Sequence, residues 1–127
     1  MPFDGTEYQA RDDTIRKLDQ VIDLLSSSDR WCKGALYRLN KQRCILGALQ
    51  AVDAASELRR PVLDAICQVT GRRYRHIETF NDARSTTHPL VMQVLYRTRD
   101  NLSPGHRRGN ISATRHGLWA RIKRFVA

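Results

Sequence analysis

Cys44-Ile45-Leu46-Gly47-Ala48-Leu49 nearly restates Trp31-Cys32-Lys33-Gly34-Ala35-Leu36, twelve residues earlier in the chain. How the second copy is read decides the fold. As a return strand it would close a hairpin with the first. As a helix start it opens an apolar segment in which Ile45, Leu49 and Val52 alternate with Ala48, Ala51, Ala54 and Ala55. Alanine is the best helix former, and small residues let a neighbouring element approach closely. The helical reading is therefore preferred from Cys44 to Ala55, with Cys44 at or near the helix N-terminus. The first copy is too rich in glycine and aromatics for a helix. Trp31, Lys33, Ala35, Tyr37 and Leu39 alternate onto one face, which predicts a strand or extended segment ending in a turn at Asn40-Lys41.

Working outward, Ile15, Leu18, Val21, Ile22 and Leu25 recur at the helical period, predicting a helix from Asp13 to Ser27 that Asp12 or Asp13 caps. Pro61 suits the first turn of a helix with the stripe Val62, Ala65, Ile66 and Val69, which Gly71 ends in a left-handed conformation. Arg72-Arg73-Tyr74-Arg75-His76 reads as a basic connector and Ile77–Asp82 as a short structured turn. Thr86 or Thr87 caps a further helix containing Pro89, Leu90, Val91, Val94 and Leu95. The expected fold is mainly α (α+β), a small single-domain helical bundle with a short β-hairpin or extended element near residues 31–46. Its expected core comprises Ile15, Leu18, Ile22, Leu25, Trp31, Leu36, Ile45, Leu49, Val52, Ile66, Phe80, Val91 and Leu95.

Trp31, Gly34 and Ala35, then Cys44, Leu46, Gly47, Ala48 and Leu49, then Phe80-Asn81-Asp82-Ala83 occur in an order that resembles domain of unknown function 6197, an uncharacterised bacterial and phage family, over about residues 14–99. The resemblance implies an architecture and carries no activity. Cys32 and the region after residue 100 lie outside the pattern.

A chain of 127 residues bounds the protein to one modest core, divided here as a compact domain over 1–100 and a basic linker with a short amphipathic helix over 101–127. The N-terminus lacks the basic and apolar segments of an export signal, and no run reaches the length of a membrane span, so a cytoplasmic protein is expected. Three cysteines with no C-x-x-C fit reduced thiols. With a turn at Asn40-Lys41, Cys44 would face Tyr37, which argues against a Cys32–Cys44 bridge. No metal site and no cofactor is expected, because structural zinc takes ligands from closely spaced pairs.

The net charge of +9 is uneven. Residues 1–100 carry sixteen basic and thirteen acidic side chains; residues 101–127 carry six basic side chains and no acid. Arg107, Arg108, Arg115, Arg121, Lys123 and Arg124 can contact phosphates, and Trp119 can stack on a base. Arg72, Arg73, Arg75 and Tyr74 could extend that patch. The leading expectation is a non-enzymatic binding protein whose C-terminal region contacts nucleic acid or an acidic protein surface. One alternative is a cysteine-dependent enzyme. Cys44, activated at a helix N-terminus, would be served by His76 or His88 as base and oriented by Asn81 or Asp82. Against this stands the plain role of cysteine as a small buried residue, and of Asn81-Asp82 as turn formers. A protein–protein adaptor with the C-terminal region in an interface is the other alternative. Oligomeric state and pathway do not follow from the residues.

Overall fold

A computed structural model of the chain describes residues 3–103, with side chains from Arg11 onward. Within them α1 runs Phe3–Leu24, α2 Ile45–Ala51, α3 Ala55–Thr70, α4 Ile77–Asp82 and α5 His88–Leu102. A single 3-10 turn, Ser28–Arg30, follows α1. The bundle is mainly helical, as its periodicity predicts. The helix α3 packs most extensively on α5, which also lies along α1, while α2 sits against α1, α3 and α4.

The core is continuous. Leu18, Val21, Ile22 and Leu25 from α1 and its end meet Ile45, Ala48 and Leu49 from α2 and Leu58, Val62, Leu63, Ala65 and Ile66 from α3. Ile77 and Phe80 of α4 and Val91, Val94 and Leu95 of α5 complete it. Trp31 and Val52 are partly buried against this cluster, whereas Ile15, expected in the core, is only half-buried and lies outside it. Leu36 departs from the expected core and is exposed.

Several boundaries are corrected. The first helix begins at Phe3, so Asp12 and Asp13 lie inside it, and Asp13 pairs with Arg16 at 2.9 Å instead of capping. Pro61 lies in the second turn of α3, which starts six residues earlier at Ala55. Its missing N–H removes one intrahelical bond. Burial of Leu58 before it and Val62, Leu63, Ala65 and Ile66 after it holds the helix together across that gap. The turn at Ile77–Asp82 is a short helix. Gly71 caps α3 at φ 79°, and Thr87 caps α5 by accepting from the Leu90 N–H, both as expected.

The described residues contain no sheet and no hairpin. Segment 31–44 forms two isolated bridges that share one residue: Arg43 pairs in parallel with Trp31 and antiparallel with Tyr37. The Arg43 N–H donates to Arg30 O at 2.8 Å, and Cys32 N–H donates to Arg43 O at 3.1 Å. Residues 32–36 therefore leave and return around Arg43 as a loop, bending at Gly34, whose φ is +80°. That geometry breaks the alternation expected of a strand. Trp31 turns inward, whereas Tyr37 and Leu39 point to solvent. Arg43, not Cys44, is the partner of Tyr37.

Candidate functional site

The Cys44 segment begins α2 as its N-cap, with the Gly47 N–H donating to Sγ at 3.3 Å. Three residues further in, a Cβ on Gly47 would fall 2.0 Å from the Leu36 carbonyl oxygen. Only glycine permits that backbone-to-backbone approach, which brings Leu36 of the first segment onto the first turn of α2. The two near-identical stretches thus touch: one supplies a carbonyl, the other the missing side chain.

Asn81 joins them to α4. It is fully buried. Its Oδ1 accepts from the Trp31 indole N–H at 2.7 Å and from the Ile45 N–H at 3.1 Å, and the latter is one of the N–H groups that the start of α2 leaves without an intrahelical acceptor. Its Nδ2 donates to Cys32 O and to Asp82 Oδ1, both at 3.0 Å. Two donors facing Oδ1 and two acceptors facing Nδ2 are consistent with one amide orientation only. Asp82 Oδ1 also accepts from the Gly34 N–H at 2.9 Å, and Lys33 Nζ, lying 5.7 Å from the Trp31 ring centre, donates to Ala83 O at 2.7 Å. Thr86 closes the end of α4 by donating to Phe80 O. Every residue of the Trp-x-x-Gly, Cys-x-x-Gly-Ala and Phe-Asn-Asp-Ala motifs meets in this node or in the apolar core beside it.

The node leaves Cys44 little chemistry. The thiol is buried, and burial pushes it above its ordinary range against the opposing N–H groups of Gly47 and Leu46. Burial likewise raises Cys32, whose Sγ donates to Ala35 O, while the Arg38 charge works in the opposite sense. Neither histidine serves as a base here: His88 Nε2 lies 2.6 Å from Leu25 O, and His76 lies in a groove lined by other residues. Asp82 accepts from Asn81 Nδ2, and its charge adds to the rise at Cys44. All three cysteines are free, and among the described residues no cluster of three metal-ligating side chains exists.

A different region offers open valences. One face of α3, from its second turn to its last, and the segment that follows line a groove of about 680 Å³ built from Arg59, Arg60, Asp64, Cys67, Arg73, Tyr74, Arg75 and His76, with Leu63 and Gln68. The segment after Gly71 is pinned at several points. Thr70 Oγ1 accepts from the Arg72 N–H, Arg59 Nη2 donates to Arg75 O at 2.8 Å, and the Tyr74 ring meets Phe80 edge-on at 5.6 Å. Four guanidinium groups and an imidazole thereby line one groove with a single carboxylate, Asp64, which sits 3.8 Å from Arg60. Arg59, Arg73 and Arg75 have no carboxylate partner among the described residues.

Arg73, Tyr74 and Arg75 were legible as a basic connector. Arg59 and Arg60 were missed, although positions 59, 60, 63, 64 and 67 fall on one helical face. Asn81 was legible as a turn former or as an orienting group for a base; no local signal marks a side chain three of whose four partners lie 36 to 50 residues away. Arg107, Arg108, Arg115, Trp119, Arg121, Lys123 and Arg124 lie outside the described residues.

The chain belongs to the Family of unknown function (DUF6197), whose model matches residues 9–101. The match agrees with the resemblance read from the three motifs. No curated protein and no solved structure matches the chain. No helix among the described residues is long and apolar enough to cross a membrane.

Proposed function

We propose that this DUF6197 member is a small non-enzymatic binding protein whose partner is nucleic acid, engaged through its phosphates. One observation carries the reading: Arg59, Arg60, Arg73, Arg75 and His76 converge on a single groove holding one acid. Guanidinium groups held by a pinned segment meet phosphate oxygens at low conformational cost. The basic residues of 101–127, namely Arg107, Arg108, Arg115, Arg121, Lys123 and Arg124, add charge of the same sign, and Trp119 supplies a stacking surface. No base-reading motif is present in the sequence, so the proposed contact is to the backbone and tolerant of sequence.

The test is binding of labelled single- and double-stranded DNA and RNA by the full chain across a salt series. Affinity should fall steeply with salt, by about 0.9 logarithmic units per logarithmic unit of salt for each phosphate contact on duplex DNA. Arg73→Glu with Arg75→Glu should weaken binding at least about tenfold and flatten that slope. Charge reversal at Arg121, Lys123 and Arg124 measures the share of the C-terminal region. Salt-independent binding, or binding untouched by both sets of reversals, overturns the proposal.

A further inference from the structure

The loop between Trp31 and Arg43 carries a second surface of different chemistry. Of the large apolar side chains exposed among the described residues, three lie within four positions: Leu36 at 45%, Tyr37 at 52% and Leu39 at 94%. A loose loop could fold such side chains back, but this one is braced. Arg38 N–H donates to Gln42 O at 2.8 Å, Lys41 N–H donates to Arg38 O at 3.0 Å, and Cys44 N–H reaches Leu36 O. Lys41 holds φ at 67° to close the turn. The Arg43 guanidinium lies 4.8 Å from the Tyr37 ring centre, and Arg38 Nη2 donates to Lys33 O. The Leu36 carbonyl lies against Gly47, which seats the base of the tip on the first turn of α2.

The charges carried by this loop have one sign, and Asp82 meets it at the Gly34 N–H. Between Asp29 and Asp53 the chain carries Arg30, Lys33, Arg38, Lys41 and Arg43 and no acid, and none of the five forms a salt bridge among the described residues. Asp23 shares a depression with Arg30 and Arg43, which leaves the cations nearer the tip, Arg38 and Lys41, the least compensated. A second copy of this loop, or the equally basic region 101–127, would be repelled. The complementary partner is anionic and offers apolar volume to a convex projection.

We propose that the 36–41 tip docks the protein on an anionic lipid surface. Leu39 with Leu36 and Tyr37 enters the acyl boundary, while Arg38 and Lys41 meet headgroup phosphates. A soft interface accepts a projecting leucine without a preformed pocket, and Tyr37 has the amphipathic character suited to headgroup depth. Nucleic acid satisfies the cations but gives Leu39, which has no ring to stack, nothing to gain. Docking is peripheral and reversible, because a small apolar area adds only modestly to electrostatic attraction.

The experiment is co-sedimentation of the full chain with phosphatidylcholine vesicles doped with phosphatidylglycerol, against pure phosphatidylcholine. Selective, salt-sensitive partitioning to the doped vesicles is expected, falling at least about tenfold in Leu39→Asp, the scale of losing one buried leucine. Leu39 is nearly fully solvated, so the variant should keep its fold, which circular dichroism checks. A Leu39→Trp chain should show a blue-shifted emission increment with doped vesicles only. Partitioning by region 101–127 would survive Leu39→Asp and leave Leu39→Trp emission unchanged, and that result overturns the proposal. So does absence of partitioning by the parent chain. Loss of single-stranded DNA binding in Leu39→Asp with vesicle binding intact would assign the tip to nucleic acid and equally overturn it.

Discussion

Two polar regions of this small bundle are built on opposite terms. Around Asn81 each donor and acceptor of the carboxamide has found a partner inside the protein: an indole, the first N–H of α2, a carbonyl and a carboxylate. In the groove between α3 and residues 71–76, guanidinium groups face solvent with a single carboxylate among them. A satisfied buried network fixes structure and has nothing left to offer a ligand. An under-compensated surface cluster contributes little to stability and keeps its charge for a partner. The residues that define the family motif therefore build the scaffold. The surfaces proposed for binding lie on arginines and loop leucines outside those motifs.

That contrast can be broken most directly at Asn81. Asn81→Ala would leave the Trp31 indole N–H, the Ile45 N–H and Cys32 O buried without partners, at about 1–3 kcal/mol each before relaxation. A loss of about 4 kcal/mol in denaturant unfolding is expected; a loss below about 1 kcal/mol would show that the node is not a keystone. Gly47→Ala comes next, because its methyl group would meet Leu36 O at 2.0 Å. Backbone cannot yield cheaply there, and destabilisation of about 3 kcal/mol is expected from overpacking.

The groove should behave inversely. Arg73→Glu with Arg75→Glu is expected to leave the unfolding midpoint nearly unchanged, within about 0.5 kcal/mol, while polyanion affinity drops. Equal effects on both readouts would erase the distinction between the two regions.

The thiols sharpen it further. Cys67 is half-exposed beside the groove, and Cys32 and Cys44 are buried in the node. A thiol reagent should label one cysteine quickly and two only as the protein opens, with peptide mapping to identify Cys67. The buried pair also imposes a pH dependence. Their folded-state pKa values lie above the ordinary 9.0, so the folded protein resists ionisation that the unfolded chain accepts. Their contribution is fully present below pH 9.0 and is lost as pH rises through the elevated folded values. The alkaline fall in stability should be shallower in Cys44→Ala than in the parent. Among the node substitutions the mildest is expected to be Asp82→Ala, about 1 kcal/mol, since the Gly34 N–H it holds can turn to water.

Much of this was legible in the residues. The spacing Leu18, Val21, Ile22 and Leu25 announces a buried helix face, Thr87 before His88-Pro89 announces a cap, and Gly71 announces a stop, because each signal is local. The hairpin expectation failed for the opposite reason. Alternation over Trp31–Leu39 is local evidence, but Arg43 bridges both ends of that stretch and folds it into a loop. The early start of α1 and the placement of Pro61 inside α3 were likewise hidden, because burial elsewhere along a helix outweighs a weak cap or a lost hydrogen bond.

By itself the sequence determined the helical class, the helix-forming second Cys-Gly-Ala-Leu segment, its start at or near Cys44 and the excess of positive charge. These follow from propensity, period and composition, which act over a few residues or over none in particular. Only the tertiary structure decided what the repeated segments do to each other. It set the Leu36 carbonyl against Gly47 and placed Asn81 between them. It also gathered Arg59, Arg60, Arg73 and Arg75 into one groove and left Leu39 standing in solvent. Those outcomes depend on contacts between residues far apart in the chain, where only the closing of the core brings them within hydrogen-bond reach.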